Sequence, residues 1–135
     1  MMARSTVSVR DVMSPGLIAV PSDTTVAACA STMFERRTHA VLVLDQRERK
    51  LLGWVTHRDV LRYLRSDPLT TVAGDLVSQE AAWIDPEATV DEAAEQMITD
   101  GTTHLLVGAP DAIPEGVLSS WDLVAHYARP SPRET

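Results

Sequence analysis

The stretch GWVTHRD, from Gly53 to Asp59, recurs 63 residues later as GVLSSWD, from Gly116 to Asp122. Both stretches contain a glycine, a hydroxyl residue three positions after it and an aspartate three positions after that. In each copy an apolar run leads up to the hydroxyl residue, and a pattern typical of an amphipathic helix follows it. An internal repeat of this kind determines the architecture before any single motif does.

The repeat extends over nearly the whole chain. Upstream of the two stretches, matched residues stand 64 positions apart: Asp11 and Asp75, Ser14 and Ser78, Thr25 and Thr89, Val26 and Val90, Ala30 and Ala94, Met33 and Met97, Thr38 and Thr102, Val43 and Val107. The spacing falls to 63 between Val43 and Gly53, where the first copy has one extra residue in a charged loop. Two copies of one unit therefore fill the chain.

Each copy is predicted to contain a strand, a helix, two further strands and a second helix. The charged segment between the last two strands is typical of a hairpin loop, and Thr24 or Thr25 can cap the first helix of the first copy. One copy alone would have a thin core, and two copies packed sheet to sheet would share one. The sequence therefore predicts an α/β (α+β) fold of two βαββα repeats packed as a pseudo-two-fold pair. The predicted bounds are residues 7–65 for repeat 1, 66–71 for a linker, 72–128 for repeat 2, and 1–6 and 129–135 for flexible tails.

The composition argues against several classes of protein. A formal net charge of −7 disfavours a general nucleic-acid-binding surface. No apolar run is as long as a membrane span, and the first residues lack the apolar segment of a secretory signal. Cys29 is the only cysteine, and the four histidines do not have zinc-ligand spacing. We expect a cytoplasmic protein with no metal site, no membrane association, and no P-loop for nucleotide hydrolysis.

The repeated stretch has a structural and a functional interpretation. Thr56 with Asp59, and Ser119 with Asp122, fit the capping box, in which a hydroxyl residue caps a helix and an acidic residue follows three positions later. The same geometry also suits a nucleotide. The helix start can receive phosphate, the carboxylate can bind a ribose diol, and the preceding glycine lets a backbone pass close to a ligand. The residues alone leave both interpretations open.

The paired repeat resembles a tandem cystathionine β-synthase (CBS) domain pair, also called a Bateman module. The resemblance rests on the opening VRDVM of Val9–Met13 and on Gly-x-x-Thr/Ser-x-x-Asp at the end of both copies, and it covers about residues 7–128. It implies a βαββα repeat with two clefts between the copies. Members commonly bind adenosyl ligands such as AMP, ADP, ATP or S-adenosylmethionine, need no cofactor, and often pair into flat dimers.

The same resemblance suggests which residues contact a ligand. It places Asp59 and Asp122 on ribose hydroxyls, with Thr56 and Ser119 near phosphates. It also implies roles for the ends of the first strands, beside an adenine, and for the openings of the second strands. These further candidates are Val20, Pro21, Ile84 and Asp85 for the strand ends, and His39, Ala40 and His104 for the strand openings. Arg58 could reach a phosphate, whereas its counterpart Trp121 could stack on a ligand or block its cleft.

These features together favour a regulatory module over an enzyme, and no catalytic residue is predicted. The expected activity is binding of an adenosyl ligand in the cleft between repeats, signalled by changed repeat or dimer packing. We expect a homodimer that acts in trans on a regulated protein. The first alternative is an assembly module that dimerises without a ligand, and the second is an enzyme whose site has no recognisable motif.

Overall fold

The computed structural model describes residues 5–63, 65, 67–110 and 112–128. Its elements are α1 (Val9–Val12), β1 (Ala19–Pro21), α2 (Val26–Arg36), β2 (Ala40–Asp45), β3 (Lys50–Thr56), α3 (His57–Tyr63), a 3₁₀ turn (Ala73–Asp75), β4 (Gln79–Glu80), β5 (Trp83–Ile84), α4 (Val90–Asp100), β6 (His104–Val107), β7 (Gly116–Ser119) and α5 (Ser120–Ala128). The predicted order of strand, helix, strand, strand and helix occurs twice, so the mixed α+β fold is confirmed. The predicted tails lie outside the described residues, except for Ser5 and Thr6.

The chain forms two compact units. The central unit contains residues 18–81, and the split unit contains the described residues up to Leu17 and from Ala82 onward. Each unit therefore combines the body of one sequence repeat with the lead-in segment of the other. The predicted boundaries at 7–65 and 72–128 remain predictions about the sequence repeat, and they differ from the divisions between the compact units.

The central unit contains a four-stranded sheet in the order β1-β2-β3-β4. Strand β1 is parallel to β2, whereas β2 with β3 and β3 with β4 are antiparallel. Helices α2 and α3 contribute Val26, Cys29, Met33 and Val60 to its core. The lead-in segment adds Ala73 and Leu76 to this core, and the Ala73 amide donates a 2.7 Å hydrogen bond to the Thr24 carbonyl.

The split unit contains a three-stranded sheet in the order β5-β6-β7, with β5 parallel and β7 antiparallel to β6. Helices α4 and α5 contribute Val90, Ala93, Met97 and Leu123 to its core. Val9, on the lead-in helix α1, is fully buried in the same core, and its amide donates to the Ala88 carbonyl at 2.8 Å.

The long helix of each unit starts after a capping threonine, which in the central unit is Thr25, one of the two predicted caps. Thr25 accepts a hydrogen bond from the Ala28 amide, and Thr89 accepts one from the Glu92 amide, both at 3.1 Å. The two helices end differently, because α4 stops at Gly101 in the left-handed region (φ 66°), whereas α2 stops at Arg37 in the same region (φ 53°). A side chain in that conformation costs about 1 kcal/mol relative to glycine.

The glycine of each repeated stretch is required by the chain itself. A Cβ at Gly53 would overlap the carbonyl oxygen of Gln79, and one at Gly116 would lie 2.6 Å from the carbonyl oxygen of Ser14. Gly53 also has φ 145°, which disfavours any other residue. These glycines therefore have a steric role within their own unit, since the neighbouring segment occupies the space that a Cβ would need.

Candidate functional site

The central unit brings four of the predicted residues together at one end of its sheet, which we call the Thr56 end. Ala40 pairs with Thr56 where β2 begins and β3 ends. The amide of His57 donates a 2.8 Å hydrogen bond to the carbonyl of His39, so the loop before β2 is joined to the start of α3. Asp59, in the first turn of α3, faces the same end because it is bonded to Thr56.

Asp59 is buried at this end, with only 3% of its surface exposed. Its Oδ2 accepts hydrogen bonds from the Thr56 amide at 2.8 Å, the Thr56 hydroxyl at 3.0 Å and the Ser78 hydroxyl at 2.6 Å. The Asp59 amide in turn donates to Thr56 Oγ1 at 3.4 Å. The reciprocal bonds are those of the capping box, so the structural interpretation of this stretch is confirmed. A charge buried to this degree is stable only with such donors.

Sequence reasoning missed two residues at the Thr56 end. Ser78 reaches Asp59 from the lead-in segment, and its signal in the sequence was its match to Ser14, to which no role had been assigned. His57 carries no signal in the sequence beyond its place at the start of the amphipathic pattern that follows Thr56. Its ring lies 5.0 Å from the ring of His39, measured between centroids, and both side chains are exposed.

A groove opens beside His39, at the C-terminal end of α2. Its volume is about 470 Å³, and its lining residues are Met33, Phe34, Glu35, Arg37, Thr38 and His39. Arg37 and His39 are exposed, as is Arg58 on the first turn of α3. The central unit therefore presents two arginines and two imidazoles around the Thr56 end.

The split unit repeats this geometry with different chemistry, at what we call the Ser119 end of its sheet. His104 pairs with Ser119, and the Ser120 amide donates to the Thr103 carbonyl at 2.8 Å. Asp122 is half-buried, and the bond recorded for its carboxylate within the described residues comes from the Ser119 amide at 2.9 Å. The Asp122 carboxylate is therefore more accessible to an added hydroxyl group than that of Asp59.

The Ser119 end lacks the cations of the Thr56 end. The positions that match Arg37, His39, His57 and Arg58 hold Gly101, Thr103, Ser120 and Trp121. The Trp121 side chain is 72% exposed, so in the split unit it does not fill a cavity. His104 is half-buried, and its Nδ1 lies 2.9 Å from the Thr103 hydroxyl.

Four residues predicted to lie beside an adenine are not at these sheet ends, and their role there remains a prediction. Val20 pairs with Val43 and Ile84 pairs with Val107, three residues along from Ala40 and His104 respectively. At about 3.3 Å per residue, these strand ends are about 10 Å from the hydroxyl and carboxylate residues. Val20 and Ile84 are also buried core residues.

The other two of these four residues are Pro21, the last residue of β1, and Asp85, the first residue after β5. Pro21 and Asp85 lie one residue further from the sheet ends than Val20 and Ile84. The Asp85 carboxylate accepts from the Glu87 amide at 2.8 Å, within its own turn. Because β1 and β5 are parallel to their neighbours, Ile18 and Ala82 are the residues placed closer to the sheet ends; their carbonyls accept from Leu42 and Leu106.

Within the described residues, no cluster of three or more His, Cys, Asp or Glu side chains is placed to hold a metal ion. The described helices are also too short or too polar to cross a membrane. Cys29 is buried in the central core, where desolvation raises the pKa of its thiol.

Comparison with known proteins finds solved structures that match most of the chain and a curated protein that matches a shorter part of it. The CBS domain of the bacterial CNNM/CorC family Mg²⁺ transporter, in complex with ATP, superposes with a TM-score of 0.76 at 14% identity, covering 90% of this chain and 87% of that one. Hypoxic Response Protein I, with two coordinated zinc ions, gives 0.70 at 27% identity, covering 89% and 98%. A homoserine O-acetyltransferase of Methanosphaerula palustris is 38% identical over 53 residues, which are 39% of this chain and 11% of that enzyme.

The family assignment rests on the whole chain. The family model of the CBS domain matches residues 9–66 and again residues 73–129, so both sequence repeats are covered. The structural neighbours are CBS-domain proteins with the same mixed α+β fold. The chain belongs to the CBS domain family as a tandem pair of repeats, and such pairs are regulatory modules.

Proposed function

We propose that this chain is a cytoplasmic, non-enzymatic regulator that binds an adenosyl ligand and acts on a protein partner. The observation that carries the proposal is the second occurrence, in a separate unit, of a hydroxyl residue and a carboxylate at a strand-to-helix junction. Ser119 and Asp122 repeat Thr56 and Asp59 although the residues around them differ in charge. ATP bound to the CBS domain of the structurally similar transporter supports the ligand class.

The two carboxylates have different parts in the proposal. Asp122 is half-buried and accepts one hydrogen bond in the described part of the chain, so it has capacity for the two hydroxyl groups of a ribose. Asp59 already accepts three hydrogen bonds through one oxygen, and a ribose there would compete with Ser78. The proposed ribose contact is therefore strongest at Asp122. His39, Arg58 and Thr56 are the proposed phosphate contacts of the central unit.

Ligand binding at these positions would act through the start of α3 or α5, since Asp59 and Asp122 lie in their first turns. A ligand that binds one arrangement of these helices better than another shifts the population toward it. We propose that a partner protein reads this shift, or the altered packing of a homodimer.

A thermal-shift experiment on the intact chain tests the proposal. The ligands are AMP, ADP, ATP and S-adenosylmethionine, with GTP as a control that keeps the triphosphate but changes the base. A ligand at a hundredfold excess over its Kd stabilises the folded state by about 2.7 kcal/mol and raises the melting temperature. Asp122→Asn and Asp59→Asn keep the shape of each side chain but remove its charge. Asp122→Asn should abolish the larger part of the shift in melting temperature. If no adenosyl compound shifts melting, the ligand-sensor proposal is wrong.

One observation favours the alternative of a ligand-free dimerisation module. Exposed apolar side chains stand at matching places on the helices of both units: Phe34 (86% exposed) and Leu61 in the central unit, Ile98 (83% exposed) and Val124 in the split unit. Repeated apolar exposure on helices is typical of an interaction surface. A stable dimer whose dissociation constant is unaffected by every adenosyl ligand would favour this alternative over the sensor.

A further inference from the structure

The groove beside the Thr56 end is lined by one arginine, one histidine and one acidic residue. Arg37 and His39 line it together with Glu35, and the centroid of the His57 ring lies 5.0 Å from that of the His39 ring. Arg58 follows His57 in the chain and is exposed. Arginine offers a planar set of donors that matches phosphate oxygens, and an imidazole N–H can donate to the same acceptors.

The fold does not require these side chains. The split unit builds the same junction with Gly101, Thr103, Ser120 and Trp121 at the matching positions. Both units keep the backbone bond across the junction, from His57 to His39 and from Ser120 to Thr103, at 2.8 Å in each case. The positive charge of the central unit is therefore additional to what folding needs.

Arg37 gives independent support, because it occupies a backbone conformation that glycine adopts more easily. Its φ is 53°, close to the 66° of its counterpart Gly101. A side chain at this position carries a local conformational penalty. The backbone conformation therefore does not explain why the residue is an arginine. Within the described residues, the ion pairs within 4.0 Å both involve Arg10, so neither Arg37 nor Arg58 has a carboxylate oxygen within that distance.

From these observations we infer that the central unit selects ligands with a polyphosphate chain. This inference rests on the proposed function, and it specifies which class of adenosyl ligand the central unit binds. The outer phosphates of a nucleoside di- or triphosphate would contact Arg37, His39, His57 and Arg58. AMP has too short a phosphate chain to reach all four, and S-adenosylmethionine has none. The split unit, without these cations, does not share the preference.

Isothermal titration calorimetry of the full chain tests this selectivity with ATP, AMP, S-adenosylmethionine and inorganic tripolyphosphate. The variants are Arg37→Gly, which copies the split unit, and Arg58→Gln. Each should weaken ATP binding by about tenfold, the effect of losing one charged contact, and should change AMP binding by less than about threefold. Glu35→Gln removes the acidic residue of the groove and should tighten ATP binding.

Arg49→Gly is the matched control for Arg37→Gly. Arg49 also has a left-handed backbone (φ 51°), is exposed, and lies in the hairpin at the opposite end of β2 and β3. The Arg49→Gly substitution removes the same charge and the same backbone strain as Arg37→Gly, but far from the groove. If Arg49→Gly weakens ATP binding as much as Arg37→Gly does, the effect is nonspecific electrostatics and the inference is wrong. Equal affinities for ATP and AMP in the unmodified chain would also overturn it.

The ligand set separates failure of this inference from failure of the proposed function. Tight AMP or S-adenosylmethionine binding that is unchanged by Arg37→Gly and Arg58→Gln keeps the adenosyl sensor and rejects the polyphosphate preference. Tripolyphosphate binding without binding of any adenosyl compound keeps the anion groove and rejects the sensor. Absence of binding by all four compounds rejects both. Circular dichroism melting of each variant verifies that loss of binding is not loss of folding.

Discussion

The Ser78 hydroxyl donates a 2.6 Å hydrogen bond to the buried carboxylate of Asp59, 19 residues earlier in the chain. This bond ties the lead-in segment of the central unit to the start of α3. In the part of the chain that the structure describes, the hydroxyl of Ser14, the matching and exposed residue of the split unit, makes no such bond to Asp122. The two units therefore share a fold but differ in how firmly the repeated aspartate is held.

We expect Ser78→Ala to destabilise the protein by about 2 kcal/mol, because it removes a donor from a buried charge. Urea unfolding followed by circular dichroism measures the change. Ser14→Ala is the matched control and should alter stability by less than about 0.5 kcal/mol. Equal losses for the two variants would show that the Ser78 hydroxyl does not hold Asp59.

Gly53→Ala should destabilise the protein by about 3 kcal/mol, since the added Cβ would overlap the backbone of Gln79 and φ is 145°. Gly101→Ala is a control in which φ is also positive but no atom lies within 4 Å of the new Cβ. It should cost about 1 kcal/mol. Chemical denaturation of both variants provides the comparison, and a Gly53→Ala loss no larger than that of Gly101→Ala would contradict the steric argument.

Tyr127 should make stability fall at alkaline pH. Desolvation, together with the hydrogen bond from its hydroxyl to Asp91 and the charge of that carboxylate, raises its pKa to about 12. The ordinary tyrosine pKa is about 10, so the folded state favours the neutral phenol. This contribution is fully present below pH 10 and is lost as pH rises from 10 to 12.

The melting temperature measured across that pH range should fall less steeply in Tyr127→Phe than in the unmodified chain. At neutral pH the variant should be less stable by about 1 kcal/mol, because the bond to Asp91 is lost. Tyr63→Phe controls for removal of a tyrosine elsewhere in the chain. An unchanged alkaline slope in Tyr127→Phe would contradict the assignment.

The exposed helix residues lead to a prediction about assembly. The double variant Phe34→Glu with Ile98→Glu should weaken a homodimer by at least about 2 kcal/mol, since buried apolar side chains dominate such interfaces. Analytical ultracentrifugation should show the mass of one chain where the unmodified protein shows two. Ile113→Glu places the same charge on an equally exposed loop residue and should leave the mass unchanged. A monomeric unmodified chain would reject the proposed dimer.

The internal repeat made most of the fold predictable. The helical spacing of Val26 and Met33, and of their matches Val90 and Met97, predicts that they face inward, and all four are buried. Ala30 and Ala94 were also placed inward but are half-buried, whereas Cys29 and Ala93 are fully buried. The predicted buried position on each helix is therefore wrong by one residue. An apolar stripe on a helix is wider than one row of side chains, so the sequence pattern does not identify its most buried position.

The candidate site was less predictable, because its geometry depends on which strand ends meet. The sequence located the first strand of each repeat, but periodicity carries no information on whether it runs parallel to its neighbour. Parallel pairing with Val43 takes Val20 away from Thr56, and the same arrangement takes Ile84 away from Ser119. The contact from Ser78 to Asp59 was missed for a related reason, since no local pattern links two segments that meet only after folding.

The exchange of lead-in segments has a consequence for biosynthesis. Residues 18–81 form a continuous compact unit, so every part of that core is synthesised before residues 82–128 are. The other core includes Val9, near the start of the chain, and Leu118 and Leu123, near its end. Val9 therefore leaves the ribosome well before its partners in that core, and a nascent chain that stops between the two sequence repeats leaves both cores incomplete.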